Sequence, residues 1–168
     1  MAIADSTSLI SAAKLDCLYL LREVAGPLII GPAGFEWVIT RGLEAGAKEV
    51  SYIRSALDGG WLQMVRLSRG EQDLTEQLSK STNLHRSEAE ALALAKDRRQ
   101  RLIADDKEVR GMARIMGVQC TGTAGFITEA LATNRIAVEV FEDLAIRLAH
   151  ITWLSPSVVA GMLARRTR

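Results

Sequence analysis

Thiol and imidazole chemistry is nearly absent from this sequence. Its 168 residues include two cysteines, Cys17 and Cys120, and two histidines, His85 and His150. The cysteines lie far apart in apolar stretches, which excludes a CxxC motif and a disulfide framework and predicts a reducing, cytoplasmic setting. The isolated histidines argue against a zinc centre or a Ser-His-Asp triad, and each reads as an ordinary helix-flank residue. No apolar run reaches the roughly 18 residues of a membrane span. The opening MAIADSTSLI lacks the basic start and long apolar stretch of a signal peptide. No membrane partner is expected. Net charge is scarce too, since 21 Lys and Arg against 20 Asp and Glu leave +1. That excludes capture of nucleic acid by bulk charge and says nothing about how the charges are arranged.

What is present suffices for a core. Hydrophobic residues make up 48% of the chain, and its length predicts one domain over 1–168, with 137–168 as C-terminal helices. The pattern alternates. A short apolar strand ends at Asp5. Leu9, Ala12, Ala13, Leu18 and Leu21 then recur at helical spacing up to Gly26-Pro27. Leu28–Ile30 reads as a second strand, and Gly31-Pro32 opens a helix to about Ala45. A third strand fits 51–53 or 61–67. Helices are predicted over 70–80 and 88–99, followed by a strand at 102–104 that ends in Asp105-Asp106. A helix to Met116, a strand at 118–120, the turn Thr121–Gly125 and helices at 126–133, 137–149 and 155–165 complete the chain. Short buried strands alternating with amphipathic helices predict an α/β sandwich on a parallel sheet. In such sheets, reactive residues sit beyond the carboxyl ends of the strands.

The strand-end acids are therefore the first candidates. Asp5, Asp105 and Asp106 follow strands, and Glu88 begins a helix. Carboxylates gathered in one cleft repel each other unless protonated or neutralised by cations, and oxygen-only ligands suit Mg²⁺ or Mn²⁺. Each acid also has a structural reading. Asp5 can cap the first helix, Ser87-x-x-Glu90 matches a capping box, and Asp105-x-x-Glu108 reads as a helix start.

Taken together, Ile3-Ala4-Asp5-Ser6-Thr7, Ser87-Glu88-Ala89-Glu90-Ala91, Leu102-Ile103-Ala104-Asp105-Asp106 and Thr121-Gly122-Thr123-Ala124-Gly125 resemble the PIN domain. The likeness is to its prokaryotic branch with a GEAEA-type helix, a DD strand end and a TGTxG turn. The resemblance spans Ile3 to about Arg166. It implies a three-layer α/β/α sandwich and a Mg²⁺- or Mn²⁺-dependent ribonuclease. It also implies kinship with toxins of type II toxin–antitoxin pairs, which are inhibited by a small antitoxin. By position, Asp5, Glu88 and Asp106 match the family's acids, and Asp105 stands beside the last as a further metal ligand. Thr7 matches a nearby hydroxyl, and Glu90 is second choice to Glu88. The chain departs at the second acid, where Trp37 stands and Glu36 lies one residue early. One residue turns a helical side chain by about 100°, so Glu36 substitutes only if the helix is shifted or rotated. The alternative is a non-catalytic PIN-like nucleic-acid-binding or regulatory protein; a nuclease or phosphatase acting on DNA is a weaker third reading.

RNA contacts are expected from Lys96, Arg98, Arg99 and Arg101, from the tail Arg165, Arg166 and Arg168, and from Thr121 and Thr123 in the glycine-rich turn. Each has a structural counterpart: a solvated helix face, a frayed end or a tight turn. Trp37, Trp61 and Trp153 serve either as stacking surfaces or as core. Apolar positions from Ile136 to Leu154 offer a surface for a second copy, in a homodimer, or for an antitoxin helix.

Overall fold

A computed structural model of the chain describes residues 1–152 and 156–164. Trp153, Leu154 and the arginines of the basic tail lie outside the described residues. Five parallel strands form one sheet: β1 (Ala2–Ala4), β2 (Leu28–Ile30), β3 (Leu62–Met64), β4 (Arg101–Ile103) and β5 (Cys120–Thr121), in the order β3-β2-β1-β4-β5. The helices are α1 (Ser6–Lys14), α2 (Leu18–Ala25), α3 (Pro32–Phe35), α4 (Gly42–Glu44), α5 (Glu49–Asp58), α6 (Arg69–Ser81), α7 (Arg86–Asp97), α8 (Lys107–Ile115), α9 (Thr123–Ala132), α10 (Val138–Thr152) and α11 (Pro156–Leu163). Between α3 and α4, Glu36–Arg41 form a wider π-turn.

The period of two in a strand sorts its side chains between two cores. Ala2, Ala4, Leu28, Ile30 and Ile103 point to one face, where they meet Leu9, Leu20, Leu21, Phe126 and Phe141. Ile3, Ile29, Leu102 and Ala104 point to the other, where they meet Leu92, Leu94, Val109 and Ala113. The sheet is thus covered on both sides, in three α/β/α layers. Phe126, Phe141, Ile3 and Leu9 are entirely inaccessible.

Three local predictions need correction. The first long helix is broken: Asp16 takes a left-handed φ of 55°, and Leu15–Cys17 separate α1 from α2. Residues 51–53 belong to α5, and the third strand is the 62–64 alternative. The helix after Pro32 is interrupted by the π-turn. In the C-terminal region, Leu144 and Leu148 are core, whereas Val140 and Ile146 remain exposed.

The chain leaves β1 toward β2 on one side of the sheet and leaves β4 toward β5 on the other. β1 and β4 are neighbours, so a crevice opens at their carboxyl ends. Asp5, Asp105 and Asp106 follow these two strands directly.

Candidate active site

Asp5 is 1% exposed and caps α1. Its Oδ2 accepts the Thr7 N–H at 3.2 Å and the Thr7 hydroxyl in a short contact. Its Oδ1 is buried with no hydrogen-bond partner. Burial pushes this carboxyl above the ordinary aspartate range, and the charge of Asp105 adds to the rise. An unsatisfied carboxylate oxygen costs free energy wherever water is excluded, so its persistence marks a position for a cation or a proton.

Asp105 is gripped by the start of α9. The Thr123 N–H donates to Oδ1 and the Thr123 hydroxyl to Oδ2, each at 2.6 Å. The helix N-terminus predicted to cradle a phosphate therefore already holds an anion, the carboxylate of Asp105. Thr123 is buried and spent on this contact. Thr121 lines a cavity with Asp105 and Arg110.

Asp106 caps α8, accepting the N–H groups of Glu108 and Val109 at 2.7 and 3.0 Å through Oδ1 alone. Oδ2 stays outside the cap. Glu88 also caps: its Oε2 accepts the His85 N–H at 2.8 Å across the start of α7. Burial raises the Glu88 carboxyl, with further contributions from the charges of Asp5 and Asp106. The capping reading and the site reading are thus compatible, because a cap on one carboxylate oxygen leaves the second available.

The capping box predicted for Ser87 and Glu90 is formed instead by His85 and Glu88, one turn geometry with the start displaced by two residues. Glu90 is 2% exposed and reaches away from the acids. Its Oε2 accepts the Ala33 N–H at 2.8 Å, and Arg86 lies 3.4 Å from its Oε1. It ties α7 to α3.

Asp5 is within electrostatic reach of Asp105, and Glu88 of Asp5 and Asp106. Among the described residues, however, no three His, Cys, Asp or Glu side chains stand together as a ready metal-binding group. The donor set is all oxygen, which fits Mg²⁺ or Mn²⁺ chemically, and the orphaned Asp5 oxygen is its open valence.

Glu36 is exposed on the π-turn and lines a cleft of about 500 Å³ with Thr7, Trp37, Arg41 and Glu88. The turn closes i to i+5 rather than i to i+4, so the helix is locally widened where Glu36 and Trp37 stand.

The predicted cations divide. Arg98 pairs with buried Glu71 at 2.6 Å, and Lys96 donates to the Met116 carbonyl at 2.7 Å. Arg101 forks onto Glu129, at 3.1 Å through one nitrogen. Arg99 is exposed at φ 52°. Lys96, Arg99 and Arg101 line one cavity. Across the shared wall of Gly117, Val118 and Gln119 lies a larger cavity of about 880 Å³. It carries Lys107, Arg110 and Arg114 together with Asp105. These three exposed α8 cations were not among the predicted contacts, although their spacing of three and four residues places them on one helix face.

No helix among the described residues is long and apolar enough to cross a membrane. No curated protein and no solved structure matches the chain. A family model described as PIN domain matches residues 1–167. Five parallel strands with acids at the ends of β1 and β4 stand beneath that match; the chain belongs to the PIN domain family.

Proposed function

We propose that the chain acts, as one domain, as a Mg²⁺- or Mn²⁺-dependent endoribonuclease. PIN domains are generally nucleases that use divalent metals, and the observation that carries the reading here is Asp5 Oδ1, buried and unpartnered on a carboxyl that burial pushes above the ordinary range. Asp5, Glu88 and Asp106 would hold the ion, with Asp105 and Glu36 in support. When bound, the ion supplies Lewis-acid chemistry for phosphodiester hydrolysis. The Thr7 hydroxyl holds Asp5 through Oδ2 and leaves Oδ1 without a partner. Thr123 fixes Asp105 through both of its oxygens. Lys107, Arg110 and Arg114 would take the phosphates, and Lys96, Arg99 and Arg101 would extend that track.

The test is cleavage of mixed single-stranded RNA with added Mn²⁺, beside an Asp5→Asn control and a DNA substrate. Cleavage by the native chain that disappears in the control supports the reading. RNA bound and left intact favours the second reading, a non-catalytic PIN-domain protein, which the Trp37 position and the separated acids support. DNA cut in preference to RNA would redirect the substrate. A cytoplasmic toxin role, with a homodimer and a small antitoxin, extends the proposal; exposed Val140 and Ile146 on α10 offer the apolar contact.

A further inference from the structure

Trp37 is 56% exposed, and its neighbours in the cleft are of a different kind. Glu36, Arg41, His85, Arg86 and Glu88 line the same space, and Trp37 is the one large apolar side chain among the residues described there. Docking surfaces for proteins gather several apolar side chains at their centre. A single bare indole ringed by charge offers instead one flat π-face with polar groups at its edge, the chemistry that accepts a nucleobase.

The π-turn produces this grouping. Closure from i to i+5 keeps Glu36, Trp37 and Arg41 on one side of the turn, where all three line the cleft, whereas an α-helix would spread them over more of its surface. The cleft volume of about 500 Å³ falls within the range of about 300–1,000 Å³ usual for small-molecule sites. Thr7 and Glu88 lie in its wall, so an occupant sits against the proposed acids.

We propose that Trp37 is the stacking platform of a nucleobase subsite, which receives one unpaired nucleotide of an RNA strand next to the strand-end acids. Arg41, 4.0 Å from Glu44, and Arg86, 3.4 Å from Glu90, line the same cleft and would meet that nucleotide's phosphate or base edge. The inference rests on the ribonuclease reading for its ligand. It implies a requirement for single strands, because a base stacked in a duplex cannot be offered to the indole face.

The experiment measures equilibrium binding of a fluorescent eight-nucleotide single-stranded RNA in EDTA, where no cleavage occurs. Native chain, Trp37→Ala, Trp37→Leu and Trp37→Phe are compared, with a duplex RNA as reference. Trp37→Ala and Trp37→Leu are expected to weaken single-strand binding by roughly ten-fold or more, within the span that aromatic–base stacks supply. Trp37→Phe is expected to restore most of the affinity, and duplex binding is expected to stay unchanged across the set. Equal affinity of native chain and Trp37→Ala overturns the subsite and leaves the ribonuclease reading intact. Failure of the native chain to bind the single strand in EDTA also overturns the subsite, whereas the ribonuclease reading stands or falls by the Mn²⁺ cleavage assay. Leu serving as well as Phe overturns stacking as the role. A change in sedimentation for Trp37→Ala with RNA affinity unaltered makes Trp37 a contact between copies and also overturns the subsite. Because Trp37 stands largely outside the core, the substitutions leave folding testable by the thermal melt.

Discussion

Thr123 holds both oxygens of Asp105, one through its backbone N–H and one through its hydroxyl, each at 2.6 Å. A residue just beyond β4 is thereby locked to the one that starts α9. Gly122 makes the approach possible, since a Cβ there would meet Asp105 Oδ1 at 2.7 Å and the Ala104 carbonyl at 3.3 Å. Gly122→Ala is expected to displace Asp105, lower stability by about 1–3 kcal/mol and reduce cleavage at least ten-fold. Thr123→Ser retains both donors and is expected to behave like the native chain. Thermal melts and initial cleavage rates check both.

Asp5→Asn is expected to abolish cleavage and to raise the melting temperature near neutral pH. The Asp5 and Glu88 carboxyls are both raised, so the folded chain binds their protons more tightly than the unfolded chain does. Their contribution to stability is full below the ordinary values of 3.8 and 4.5 and is lost as pH rises through the folded ones. The gain from Asp5→Asn should therefore be largest at neutral pH and disappear in acid. In a chain of this size, each 1 kcal/mol moves the melt by about 2–4 °C. Mn²⁺ is expected to raise the native melt and to move the variant less. A variant that melts no higher than native at any pH contradicts the account.

Glu71 has the opposite sign. Its carboxylate is 1% exposed, accepts the Ser68 N–H at 2.7 Å and is held below the ordinary range chiefly by its hydrogen bonds from Arg98. This contribution is present above the ordinary value of 4.5 and is lost as pH falls through the lowered one. Arg98→Ala leaves that carboxylate buried and unpaired. The expected cost is about 3 kcal/mol, read by denaturant unfolding, with RNA affinity of the folded fraction unchanged.

Arg110→Ala should separate the two properties in reverse. Arg110 is exposed on α8 and faces the cavity shared with Asp105. Stability is expected to stay within about 0.5 kcal/mol. RNA affinity is expected to fall, and the slope of log affinity against log salt to shrink by about 1, the mark of one lost phosphate contact. An unchanged slope would remove Arg110 from the track.

The sheet's centre was legible because its signals are local. An apolar triplet closed by an acid marks both β1 with Asp5 and β4 with Asp105. The edge strand β3 was ambiguous since only Leu62 of its three residues is buried, so its pattern is faint. Glu88 and Glu90 differ by two positions in one helix, and only Ala33, far off in the chain, decides which of them turns away from the acids. Likewise Glu71 decides that Arg98 is structural. The π-turn leaves no mark in composition or period, because the same residues satisfy an α-helical pattern. Lys107, Arg110 and Arg114 share a face only at helical spacing, so they form no run of adjacent charge in the sequence.

The strand order also fixes when the crevice can exist. β1 is made first, yet it lies between β2 and β4, and its far neighbour is made only after residue 100. Asp105 then waits for Thr123. During synthesis from the amino terminus, Asp5 is therefore the earliest acid to leave the ribosome and among the last to acquire its surroundings. An emerging chain carries no assembled site until most of its length is free to fold. The crevice is therefore a late product of synthesis, completed only after β5 and the start of α9 are in place.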